Sequence, residues 1–339
     1  MSLEKIKFSD YFNSWLYDKD GYYSKYKQIG KKGDFYTSVS TSSFFGGTIG
    51  KRIVDAIKNK ELPEDSTILE IGAHHGYLLA DIIQFIYTLN PKLIQTLNFA
   101  IVERYPHLQK HQKEYFKNSF DNAIDLVHYN DISEVKIENG FVVANEIFDA
   151  FPCELVYTNK DDVLELAYIT EHKVEFEPCK DEKILTHCEK YKITKGEVAV
   201  GYEEFINSLC KNIKNFEFIT FDYGDNYPRN DFSTRIYSKH EVYALFEDSL
   251  DLKNYYQISD ITYDVFFQHL IDCFKENKAK DIVYSTQMQA LIEFGIVDLL
   301  EILKQNVDEN TYLRETQKVK TLLEPTGMGD RFKMLQIKK

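Results

Sequence analysis

Apolar residues along this chain change their spacing several times, and each change marks a different kind of element. Ile6, Phe8, Tyr11, Phe12, Trp15 and Leu16 recur at helical intervals and lead into a tyrosine-rich loop at 21–24. Phe44, Phe45, Ile49, Ile53, Val54 and Ile57 mark a second helix, entered from a polar, glycine-containing loop whose Thr37 and Ser38 fit as caps. From 67 to 152 the pattern is strand then helix, repeated. It predicts strands at 67–71, 98–102, 125–129 and 140–145, and helices at 77–89 and 107–118. Between 153 and 195 the apolar runs shorten to 154–157, 163–169 and 173–177, separated by polar turns. A helix at 203–214, a fifth core strand at 216–224, amphipathic runs at 239–247, 263–275 and 286–304, and a closing strand at 332–337 follow.

Strand–helix alternation argues for parallel strands with helices on both faces. The fold expected is therefore α/β, a doubly wound, mostly parallel sheet. A helical and loop cap over 1–60 precedes it. The sheet domain would span 61–339, with a β-rich insertion at about 153–200 and a mostly helical one at about 225–320.

Composition narrows the function. Hydrophobic content of 43% and charged content of 28% are those of a globular protein with a full core. The formal charge of −13, from 41 basic and 54 acidic residues, argues against a sequence-independent nucleic-acid binder. Five scattered cysteines without a C-x-x-C pair fit a reducing compartment, and neither they nor the histidines form a metal-binding pattern. No apolar run is long enough for a membrane span, and the start lacks a signal-like apolar core. The cytoplasm is the expected location.

The chemistry concentrates where strands end. Thr67–Ile71 runs into Gly72-Ala73-His74-His75-Gly76 and then directly into an amphipathic helix. The next strand ends in Glu103, and the third is followed by Asp131. A glycine turn lets backbone approach a ligand closely, a carboxylate at the neighbouring strand tip accepts from a ribose diol, and a further acid can accept from an adenine amino group. Each of these residues alone is as well explained by an ordinary turn or a solvated loop. Their shared placement at carboxyl ends of successive strands suggests half of a nucleoside-cofactor site. A fourth strand delivers Asn145 and Glu146 to the same edge, followed by Asp149 and Pro152. If the chain turns helically after Asn145, Glu146 and Asp149 share a face and can grip a guanidinium. Equally, Asn145 can cap a short helix whose N-terminus the two acids favour.

These segments, in this order, resemble the MidA-like family of S-adenosylmethionine-dependent methyltransferases. The resemblance runs over nearly the whole chain. It rests on Gly33-Asp-Phe-Tyr-Thr-Ser38, the Glu70-Ile-Gly72 turn, Val102-Glu103 with Leu108 and Gln112, and Ala144-Asn-Glu-Ile-Phe-Asp-Ala150. Asp222-Tyr-Gly224 and the Gly327-Met-Gly329 segment complete it. It implies a class I (Rossmann-like) fold, S-adenosyl-L-methionine as methyl donor, and transfer to a protein side chain. A mitochondrial member is an arginine methyltransferase acting on a respiratory complex I subunit. Carried over, Gly72, Gly76 and Glu103 would hold the cofactor, with Gly33, Asp34, Thr37 and Ser38 closing over it; His74 within the turn and the strand-end Asp131 join them as expected cofactor-binding residues. Asn145, Glu146 and Asp149 would face the acceptor. The chain departs from the family pattern at His74, where a glycine is usual, and at Val39, where a proline is usual. A side chain in left-handed backbone costs about 1–2 kcal/mol. The alternative expectation is thus a methyltransferase-like protein that has lost catalysis and acts in assembly or binding.

Overall fold

The computed structural model describes residues 5–25 and 37–339. Gly33 and Asp34 lie outside the described residues. The chain divides into two compact units: Met1–Phe35, Phe148–Glu204 and Gly224–Leu270 form the first, and Tyr36–Ile147, Phe205–Tyr223 and Ile271–Lys339 the second. No described helix is long and apolar enough to cross a membrane.

The second unit is built on seven strands: β1 Thr67–Ile71, β2 Asn98–Val102, β3 Leu126–Tyr129, β4 Ile137–Val143, β5 Ile213–Asp225, β6 Lys280–Thr286 and β7 Phe332–Lys338. Their order across the sheet is 3-2-1-4-5-7-6. The β1–β5 pairings are parallel, and β7 runs antiparallel to both β5 and β6. Strand order therefore reverses between β1 and β4, the switch point at which open α/β sheets bind ligands beyond their carboxyl ends. The expected doubly wound fold is present. β4 is apolar throughout its second half because both faces are covered: Phe141, Val142 and Val143 are fully buried. Burial of each is worth about 1.5–3 kcal/mol.

Helices α1 Phe44–Lys58, α2 Tyr77–Leu89 and α3 Pro106–Phe120 pack on this sheet. α2 buries Leu78, Leu79, Ala80, Ile82, Ile83 and Ile86, the stripe its helical spacing predicted. From α1, Arg52 makes a two-pronged contact with the buried Glu217 of β5, at 2.9 and 2.7 Å. β6 was not foreseen, because Lys280–Thr286 lies between helical runs and alternates only weakly.

In the first unit an antiparallel sheet is formed by Ile6–Lys7, Cys153–Thr158, Leu164–Thr170, Lys173–Pro178 and Lys195–Ala199. The helix Phe8–Tyr17 lays Phe8, Phe12, Trp15 and Leu16, all fully buried, against the Cys153, Leu155, Ala167 and Ile169 cluster. The helix expected at 239–247 is instead a hairpin, Arg235–Ser238 with Glu241–Ala244. Lys239 and His240 take φ of 52° and 68°, a turn that matches strand twist and stops a helix. The run expected at 263–275 becomes helical only from Phe267. Glu182–Tyr191 and Lys195–Ala199, a helix and a strand, also went unpredicted.

Candidate functional site

The turn after β1 is held from both sides. Gly72 and Gly76 take φ of 74° and 78°, which L-side chains rarely adopt. A Cβ on Gly72 would come within 2.8 Å of Ile147, and one on Gly76 within 3.1 Å of the Phe116 ring. His74 takes φ 46°, so the backbone keeps the conformation a glycine would supply at that place. The Gly72 amide donates to the Val102 carbonyl at 3.2 Å, and the Gly76 amide to Ala73 at 2.7 Å. Burial pushes the His74 imidazole down to about 3, so it is neutral at physiological pH.

Beneath the turn, Glu70 is buried on β1 and accepts from the Leu79 amide in the first turn of α2, at 3.0 Å. Desolvation lifts its carboxyl to about 8. Glu103 stands at the tip of β2, with its amide bonded to the Tyr129 carbonyl at 2.9 Å. Its carboxylate accepts from the Tyr105 amide at 3.0 Å, and burial lifts it to about 7. Asp131, beyond β3, is exposed and accepts from the Ser133 amide at 2.9 Å, which lowers its pKa.

A tight turn of left-handed glycines, joined to a desolvated acid at the next strand tip, fits a nucleoside cofactor. The turn lies at the switch point of the sheet, and diol hydroxyls would relieve the desolvated carboxylate. Gln112 and His128 belong to the same half-site. Gln112 is fully buried on α3; its Nε2 donates to the His74 carbonyl at 2.8 Å, and its Oε1 meets His128 Nε2 at 2.9 Å. The pattern of the sequence offered one signal for it, a glutamine between Leu108 and Phe116 in the apolar stripe of α3.

Thr37 caps the short helix Ser38–Thr41 in a reciprocal box with Ser40. Ser38 is fully buried and donates to Gln287 at 2.9 Å. On the acceptor side, Asn145 Nδ2 donates to Glu146 Oε1 at 2.9 Å. Glu146 has φ 49°, and its amide bonds the Phe221 carbonyl at 2.9 Å, extending the β4–β5 ladder. The chain therefore does not turn helically after Asn145. A helical turn forms only at Phe148–Ala150, so the shared helix face expected for Glu146 and Asp149 is absent. Asp149 belongs to the first unit, where its side chain is buried and its carbonyl accepts from the Tyr263 amide at 3.2 Å.

The first unit also holds a cavity of about 270 Å³ lined by Lys195, Glu197, Arg229, Asp231 and Asp264 among others. Its charges pair with one another: Lys195 with Asp231 at 2.6 Å, and Arg229 with Asp264 at 2.7 Å. Glu197 is satisfied by the amides and hydroxyls of Ser233 and Thr234.

Comparison with known proteins agrees with this geometry. A protein of Danio rerio named "Protein arginine methyltransferase NDUFAF7, mitochondrial" is 22% identical over 94% of this chain and 79% of its own length. The Rattus norvegicus protein of the same name is 26% identical over 39% of this chain and 34% of its own length. A Burkholderia thailandensis structure, titled a likely methyl transferase of the COG1565 superfamily bound to S-adenosyl-homocysteine, superposes with a TM-score of 0.85. It is 22% identical and covers 99% of this chain and 88% of that one. A second structure from that organism, of an uncharacterized COG1565 superfamily protein, gives 0.81 at 21% identity over 99% and 87%. Both show the fold. Residues 48–285 match the family described as "Putative S-adenosyl-L-methionine-dependent methyltransferase". The chain belongs to that family, with a class I methyltransferase fold and S-adenosyl-L-methionine as its cofactor.

Proposed function

We propose that this protein methylates an arginine side chain of a protein partner, and that a respiratory complex I subunit is one such partner. The observation that carries the reading is Glu146, a half-buried carboxylate at the tip of the central strand β4. Its left-handed backbone and its bond from Asn145 fix where its side chain begins. A non-glycine residue held in that region at a ligand-binding sheet edge is typical of functional positions. The relative that covers most of this chain carries protein arginine methyltransferase in its name.

Gly72, His74, Gly76, Glu103 and Asp131 would hold the cofactor, with Thr37 and Ser38 beside it. Bound there, S-adenosylmethionine supplies an electrophilic methyl group. The remaining work falls to the chain. A free guanidinium is protonated at neutral pH (pKa about 12.5–13.8) and is a poor nucleophile. Asn145 and Glu146 are assigned to the acceptor: the Glu146 carboxylate orients the guanidinium through charge-assisted bonds and draws its charge onto the nitrogens it touches. Glu146 receives the proton that leaves the attacking nitrogen. The five free cysteines suit a reducing compartment such as the cytoplasm, and the named relatives are mitochondrial.

The test is mass spectrometry of arginine-containing protein fractions incubated with labelled methyl donor and either wild type or Glu146→Gln. Label on arginine with wild type alone is the expected result. Label on another residue type would overturn the acceptor assignment.

A second reading, a family member without catalysis, was motivated by His74. His74 keeps the left-handed backbone of the turn, which favours an intact cofactor site and hence the enzyme.

A further inference from the structure

We propose that Asn145 sets which nucleophile the site accepts: its side-chain oxygen takes an N–H from the nitrogen that is methylated, so nitrogens carrying two hydrogens are taken and hydroxyls and thiols refused. The proposal rests on the reading of Glu146 as the group that receives the acceptor's proton.

The Asn145 backbone is fixed on both sides. The Ala144 amide donates to the Ile219 carbonyl at 3.0 Å, and the Ala144 carbonyl accepts from the buried Thr220 hydroxyl at 2.6 Å. On the other side the Glu146 amide donates to the Phe221 carbonyl at 2.9 Å. The side chain is oriented as well. Asn145 Nδ2 donates to Glu146 Oε1 at 2.9 Å, and an ionised carboxylate only accepts, so the amide cannot be turned the other way. The oxygen, Oδ1, is the end left over. It is buried and has no hydrogen-bond partner among the described residues. A carbonyl oxygen in that state has lost its water and gained nothing in return, which native structures rarely tolerate without a reason. This one lies just beyond β4, at the switch point of the sheet, where open α/β sheets bind ligands. An N–H brought by a ligand restores the missing bond.

Asn145 and Glu146 then present two acceptors to one nitrogen. A guanidinium or amine nitrogen has a hydrogen for each. A hydroxyl or thiol has one hydrogen and leaves one oxygen buried and unpaired, a difference worth about 10⁴–10⁵-fold in sites built this way. The hydrogen facing Glu146 leaves as a proton to that carboxylate while the nitrogen's electron pair bonds the methyl carbon and sulfur keeps the pair of the bond it loses. The hydrogen facing Asn145 stays on nitrogen, so Oδ1 holds the nucleophile in place and takes no proton.

Carbon-13 NMR of the Asn145 side-chain carbonyl tests this in wild type at saturating S-adenosylhomocysteine, with N-acetyl-arginine amide, N-acetyl-lysine amide and N-acetyl-serine amide as probes. S-adenosylhomocysteine alone should leave the resonance in place, arginine amide should move it, and serine amide should not. In calorimetry Asn145→Leu, which keeps a branched side chain and removes the oxygen, should weaken arginine amide about 10–100-fold and S-adenosylhomocysteine less than about threefold. A resonance that moves with S-adenosylhomocysteine alone gives the oxygen to the cofactor and overturns the proposal. A resonance that stays still while arginine amide binds also overturns it, but leaves arginine as the acceptor and Asn145 as a prop for Glu146. A shift with lysine amide and none with arginine amide keeps the role of Asn145 and overturns the choice of arginine. No shift with any probe overturns both. If Asn145→Leu does not fold, the wild-type spectra decide.

Discussion

The donor and acceptor sides of the β1–β4 edge are built differently. Around the turn after β1, the buried Gln112 amide holds the His74 carbonyl at 2.8 Å, and the desolvated Glu70 and Glu103 carboxyls each accept from a backbone amide at 3.0 Å. At the tip of β4, Glu146 donates its amide to the Phe221 carbonyl and accepts from the Asn145 side chain, with its backbone in the left-handed region. A small cofactor of constant shape suits a preformed cradle. A protein substrate brings its own backbone and side chains to the acceptor side and supplies part of its own positioning. Cofactor binding should therefore survive changes on the acceptor side, while transfer should not survive loss of either.

The largest expected effect is on Glu146. Glu146→Gln should lower methyl transfer by about 10²–10⁴-fold, as for loss of a proton acceptor, with S-adenosylhomocysteine affinity kept within a few-fold in calorimetry. Unchanged turnover would take Glu146 out of the reaction. Next comes Glu103→Gln, which removes a charged acceptor worth about 1.5–3 kcal/mol and should weaken S-adenosylhomocysteine about 10–100-fold at pH 8. Equal affinity there would erase the contrast between the two sides.

Smaller effects concern the cradle itself. Glu70 at about 8, and Glu103 and Asp81 of α2 at about 7, are raised by burial. A carboxyl raised by folding favours the folded state while protonated, so its contribution is present below about pH 4 and lost as pH climbs through 7–8. Melting of the ligand-free protein should accordingly be lower at about pH 8.5 than at pH 5.5, and Glu70→Gln should reduce that difference. His74→Gly should have the smallest effect. It relieves about 1–2 kcal/mol of backbone cost and should leave cofactor affinity within about threefold. A large loss of affinity would give the imidazole a direct role in binding.

The sheet unit was legible because its central strands are buried on both faces and its helices carry one apolar stripe. The strand at 67–71 and the helix at 77–89 were located to the residue, since a continuous apolar run meets a glycine turn there. The hairpin at 235–244 was misread as helix because its apolar residues, Ile236, Tyr237, Val242 and Tyr243, flank a Lys239-His240 turn that carries no glycine or asparagine. Within the site, the turn and Glu103 were visible as strand-end residues. The bonds of Gln112 were not, because they join residues 38 and 16 positions apart in the chain. The backbone of Glu146 was equally hidden: nothing local tells a glutamate to leave the helical region, and its bond to the Phe221 carbonyl is a tertiary one.

The central claim is that the bend at Gly72–Gly76 and the Glu103 carboxylate together receive the cofactor. A crystal structure grown with S-adenosylhomocysteine measures this directly. The expected result is density along the bend, with both sugar hydroxyls within hydrogen-bond distance of Glu103. A ligand seated away from Glu103, or a bend closed over by the His74 ring at saturating ligand, would contradict the account.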